Sequence, residues 1–156
     1  MLIAVIGAIL LVLATTTLHL ITLRWLSGPS ASIPMAPSLR ILMIVLAVFL
    51  VHMGEVTLYA VAYWLGGQVF GIGSFGGVPT NAPLDYFYFS VVSFTSLGIG
   101  EVFPHSHLRF LTGVEALNGL LLIAWSASFL FVAMNRLWEW QSFSVPEAGE
   151  TPDRAD

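Results

Sequence analysis

The 156-residue chain is 57% hydrophobic and 9% charged, against roughly 25% charged residues in soluble domains. That much apolar surface cannot be hidden in a water-soluble fold of this size, so lipid is its solvent. It has no cysteine, which excludes disulfides and thiolate sites, and with five basic residues, none of them lysine, it offers no surface to nucleic acid.

The first element runs from Leu2 to about Leu23, uncharged until Arg24. A cleaved signal peptide would need a basic stretch ahead of a shorter apolar run, so this segment reads as a retained transmembrane helix, residues 1–26. It lacks the repeated arginines of a voltage sensor. It is expected to pack at the periphery, with His19 as a packing histidine. A Pro-containing connector covers 27–38 (SGPSASIPMAPS).

A second span covers about Leu39 to Leu65, interrupted by His52 and Glu55, which a helix sets three apart on one face. Gly66 to Pro83 is glycine-rich and reads as an exposed turret. Its Gly71, Gly73 and Gly76 form a nominal G-x-G-x-x-G, but no strand–turn–helix unit surrounds it, so a dinucleotide site is excluded. Leu84 to Thr95 can form about three turns of helix, with Asp85 placed to cap its start.

Thr95-Ser96-Leu97-Gly98-Ile99-Gly100-Glu101 follows at once. Non-helical backbone survives at membrane depth only when buried in protein or lining a water-filled cavity, so helix and segment together read as a re-entrant loop. Paired glycines with hydroxyls before them suit a backbone that lines a hole. The third span, about Leu108 to Leu137, carries Glu115 and Asn118 on one face and Gly119 beside them. The residues 138–156 are polar and acidic and read as a disordered tail.

Arg24, Arg40 and Arg136 fall on one side of a chain that crosses three times. The positive-inside bias makes that side cytoplasmic, puts the N-terminus outside and brings the Gly-rich segment in from outside. Trp25, Trp64, Trp138 and Trp140 lie near span ends, where indoles favour the interface.

Buried ionisable groups in a membrane face the protein interior or water. His52, Glu55, Glu115 and Asn118 therefore allow a proton-sensitive or polar gating role, beside the commoner one of hydrogen bonding between helices. His52 with Glu55 spells HxxE, but a metal-dependent enzyme needs further convergent ligands and His19 is the only other histidine within a span. Gly119 is a hinge candidate or a close-packing contact.

The stretch Tyr88 to Pro104, YFSVVSFTSLGIGEVFP, resembles the pore helix, filter and following turn of the potassium-channel superfamily. Ser96-Leu97-Gly98-Ile99-Gly100-Glu101 matches Thr-Val-Gly-Tyr-Gly-Asp position by position. The likeness covers residues 39–137 and is nearest to small bacterial ion-channel or two-pore-domain-like sequences. It implies an all-α membrane protein with three transmembrane helices, a re-entrant pore helix and a filter, assembled as a homotetramer around a central pore in the bacterial plasma membrane. It implies passive passage of K+ with no cofactor and no enzymatic reaction. Potassium would be held at Ser96, Leu97, Gly98 and Ile99. Thr95 would close the pore helix, Glu101 would stand at the outer mouth, and Tyr88 and Phe89 would brace the filter. Ile99 replaces an aromatic residue whose hydroxyl could tie the filter down, and Val92 stands where some members carry an acid. Both departures leave open a weakly selective sodium/potassium channel, or a non-conducting membrane subunit on the same scaffold.

Overall fold

The structure, a computed structural model, describes residues 1–137; the expected tail, with Trp138 and Trp140, lies outside them. Three long helices carry the chain: α1 (Leu2–Ser27), α2 (Pro37–Trp64) and α4 (Leu108–Leu137). All three are long and apolar enough to cross a membrane. At about 1.5 Å per residue each exceeds the roughly 30 Å hydrocarbon core. Pro37 starts α2, where a missing N–H costs nothing. At the far end α2 runs into one wider turn, Leu65–Val69, closed by the Phe70 N–H on the Leu65 carbonyl at 2.9 Å.

A short helix, α3 (Pro83–Phe94), packs between α2 and α4. Its start is fixed by Pro83 and by Asp85, whose carboxylate accepts from the Asn81 and Ala82 backbone N–H groups at 2.9 and 2.8 Å. Those two bonds hold the Asp85 carboxyl below the usual carboxylate range.

The turret is not simply an exposed loop. Its Phe75–Gly77 (β1) pairs antiparallel with Val102–Pro104 (β2), in the register Phe75 with Pro104 and Gly77 with Val102. Val78 donates to the Glu101 carbonyl and His105 to the Ser74 carbonyl, extending the zipper in both directions.

Two apolar clusters mark the two ends of the bundle. Leu23, Leu26, Ile44 and Val48 gather near Arg24, Arg40 and Arg136, with Leu130 and Leu137 of α4 against them. The other cluster lies under the β ribbon. There Tyr63, Phe75, Phe89 and Tyr86 meet edge to face with ring centres 4.9 to 5.8 Å apart. Most of the leucines and isoleucines on α1, α2 and α4 point outward, as they can in lipid at no cost. Association of these helices therefore rests on close packing and interhelical hydrogen bonds, each worth roughly 0.5–2 kcal/mol.

Helix α1 packs on both α2 and α4 and buries Thr15 and His19 completely. The reason is polar: both side chains find partners on the other two helices.

Candidate functional site

Helix α3 ends at Phe94, and Thr95 caps it. The Ser96 N–H donates to the Ser93 carbonyl and the Leu97 N–H to the Val92 carbonyl, both at 2.9 Å. These are the two crossed bonds of a helix end whose capping residue turns left-handed. Glycine usually takes that place; here Ser96 does, at φ +56°.

From Ser96 the sign of φ alternates. It is positive at Ser96, Gly98 (+59°) and Gly100 (+84°), and at no other residue from 95 to 101. Alternating handedness turns successive N–H groups to one side and so successive carbonyls to the other. Among the described residues, no backbone N–H donates to any carbonyl from 95 to 100. Leu97 and Ile99 are 65% and 55% exposed. The segment is thus a strip of backbone oxygen, held at its start by the end of α3 and beyond it by the β1–β2 ribbon.

The remaining residues singled out in the sequence separate into distinct places. Glu101 is exposed next to Tyr88, and its carboxylate pushes the Tyr88 phenol above its ordinary range. Tyr88 is 38% exposed on the same side. Phe89 turns the other way, into the aromatic cluster with Tyr63 and Phe75, so within one chain the two expected filter supports do not act together. Gly119 faces the end of α3 so closely that a Cβ there would strike the backbone and ring of Phe94. It is a close-approach glycine, the packing reading of the two.

Glu115 and Asn118 face inward to different partners. Glu115 is fully buried and accepts from Ser90 of α3, at 2.5 Å, and from Tyr63 of α2. Ser90 also reaches the Val56 carbonyl at 2.9 Å. Asn118 donates to Thr15 of α1 at 2.8 Å and to Tyr59 of α2 at 3.2 Å. One α4 face therefore ties all three other helices together.

A second cluster lies further along the bundle. Glu55 takes His52 on one oxygen at 2.7 Å and His19 on the other at 2.9 Å. Both histidines then reach Ser126 of α4. His19, read from sequence as a packing residue, is the third member that His52 and Glu55 lacked. The donor atoms of His19, His52 and Glu55 lie within 4.8 Å of one another. Each is already engaged by another member of the cluster. Sequence reasoning missed Thr15, His19, Tyr59, Tyr63, Ser90 and Ser126. Only His19 left a signal: a lone ionisable group in an otherwise uncharged span implies a partner elsewhere.

Three membrane-length helices and a short helix leading into unpaired, alternately handed backbone define a multi-pass membrane protein of the ion-channel class. Residues 42–136 match the family model described as "Ion channel", and the chain belongs to that family. No curated protein and no solved structure matches it.

Proposed function

We propose that this chain is the subunit of a homotetrameric channel that passes potassium ions down their electrochemical gradient, without chemical reaction. Ions would be held by the carbonyls of Ser96, Leu97, Gly98 and Ile99, with the Ser96 hydroxyl at the innermost position. Rings of backbone carbonyls replace the water shell of a potassium ion, and four copies are needed to surround it. The observation that carries this reading is the run of carbonyls from 95 to 100 to which no backbone N–H donates among the described residues, on a backbone whose φ alternates in sign. Backbone polar groups at membrane depth must find partners, and an ion file is the partner this arrangement suits. The segment would enter from outside the plasma membrane of a bacterial cell, with the arginine-bearing end cytoplasmic. Each 100 mV would then drive an elementary charge with roughly 2.3 kcal/mol.

Purified protein in potassium-loaded liposomes, diluted into sodium or an impermeant cation, tests this. Flux that follows potassium and fails with sodium as the only permeant ion is the expected result. Absence of flux from a verified tetramer would overturn the conducting reading in favour of a membrane subunit on the same scaffold.

One observation favours a second reading, a weakly selective sodium/potassium channel: Ile99 has no hydroxyl with which to tie the segment to its surroundings. On the potassium reading, Ile99→Tyr holds or raises potassium preference in the same assay. A loss of preference would mean that the surroundings are built for Ile.

A further inference from the structure

We infer that His19, Glu55, His52 and Ser126 form a one-proton latch, a site that binds a single proton and with it fastens α1 to α2 and α4. His19 Nδ1 lies 2.9 Å from one Glu55 oxygen and His52 Nδ1 lies 2.7 Å from the other. His52 Nε2 is 3.1 Å from Ser126 Oγ, and His19 Nε2 is 3.2 Å from the same atom. Four bonds close a ring across three helices. Glu55 and His19 are fully buried, and the side chain of His52 is 15% exposed.

Four hydrogen bonds need four hydrogens. A carboxylate, two neutral imidazoles and a hydroxyl supply three. With both Nδ1 atoms donating to Glu55, the serine can satisfy one Nε2, and the other Nε2 must itself donate to the serine oxygen. That imidazole then carries two hydrogens and a positive charge, which the carboxylate balances. Placing the fourth hydrogen on the carboxyl and shifting the tautomers gives the same count. The closed ring is therefore the proton-bound form, and it is neutral. Without the proton, two acceptor nitrogens face one hydroxyl hydrogen and a net negative charge stands between membrane helices. Both are costly in lipid.

Among the described residues, no other group on the packed elements supplies the missing hydrogen. From α4 the Trp125 ring lies over His19, and from α3 the Phe94 ring meets His52 edge-on. The further buried titratable groups of α2 and α4 are engaged elsewhere: Tyr59 accepts from Asn118, and Glu115 is held by Ser90 and Tyr63. The described arginines sit at the helix ends. A divalent ion would displace the ring's own bonds and bring two charges against the one on Glu55.

The link to conduction rests on the channel reading. Ser126 belongs to the helix after the filter segment, and Phe94 is the last residue of α3, directly before that segment. A closed ring holds Ser126 against α1 and keeps His52 against the Phe94 ring, so acid keeps the bundle shut and rising pH frees it.

The test is thermal unfolding of the full chain in detergent across pH 5 to 8, the range in which imidazoles change charge. Below about pH 6.5 the unfolded histidines take up two protons against the ring's one, so the Tm rises with pH; above it the ring alone holds a proton, and the Tm falls as pH rises further. Ser126→Ala and His19→Gln should each abolish that falling slope, whereas the double variant His105→Gln and His107→Gln keeps it. A flat wild-type profile overturns the latch, as does an unchanged slope in both ring variants. So does a visible Co2+ absorption band in chelator-treated protein that His19→Gln removes, since the cluster would then be a metal site. In liposomes, flux should rise from pH 5 to 8 in the wild type and be pH-independent in Ser126→Ala. Flux without pH dependence beside an intact unfolding slope overturns the link to gating alone. An intact slope with no flux at any pH supports the latch and counts against the channel reading.

Discussion

At Gly98 the proposed function rests on one backbone angle. Its φ of +59° is a conformation that residues with a Cβ resist, although nothing among the described residues lies within 4 Å of where that atom would stand. Gly98→Ala should therefore abolish liposome flux while membrane insertion, followed by extraction and protease protection, stays intact; retained flux would sink the filter assignment. Asp85 acts through charge. Its carboxyl is held low by two backbone N–H groups, so its contribution to the start of α3 is present at neutral pH and lost as pH falls below about 4. Asp85→Ala should lower the Tm at pH 7 and converge on the wild type in acid; equal Tm values at pH 7 would show that the cap contributes nothing. The glycines made Gly98 and Gly100 legible as left-handed positions. Ser96 was not legible, because its positive φ comes from the crossed bonds that end α3, and those depend on where the helix stops.

At the scale of elements, α3 is positioned by one buried carboxylate. Glu115 joins it to α2 and α4 through Ser90 and Tyr63. Glu115→Ala removes the acceptor shared by Ser90 and Tyr63, leaving Ser90 the Val56 carbonyl and Tyr63 the Thr112 hydroxyl, at roughly 0.5–1.5 kcal/mol per lost hydrogen bond. Thermal unfolding in detergent should show a clear loss of stability, smaller in Glu115→Gln, which keeps an acceptor oxygen. An Ala variant as stable as the wild type would mean that the network is ornamental. The three spans and the short helix were readable from length and apolarity. Which faces meet was not, because lipid-facing and protein-facing sides of α1 and α4 are both apolar and the usual one-sided stripe is erased. The ribbon was hidden for a different reason. Its strands have three residues each, two of them glycine in β1 and one proline in β2, a composition that strands normally avoid.

For the whole molecule, the absence of native cysteine makes topology directly measurable. A single Thr80→Cys in the turret should react with a membrane-impermeant maleimide on intact cells, and Ser27→Cys at the end of α1 should react only after permeabilisation. The reverse pattern would place the filter segment on the cytoplasmic side. The bonds from α1 also bear on how the chain is made. Thr15 is 103 residues from Asn118, and His19 is 107 from Ser126. While the ribosome is still working on the middle of the chain, α1 and α2 stand in the bilayer with a histidine pair and a glutamate that their last partner has not yet reached. Helix α1 is thus fully satisfied only once α4 has been made, and biogenesis intermediates that stop short of α4 carry exposed polar groups a quality-control protease can recognise.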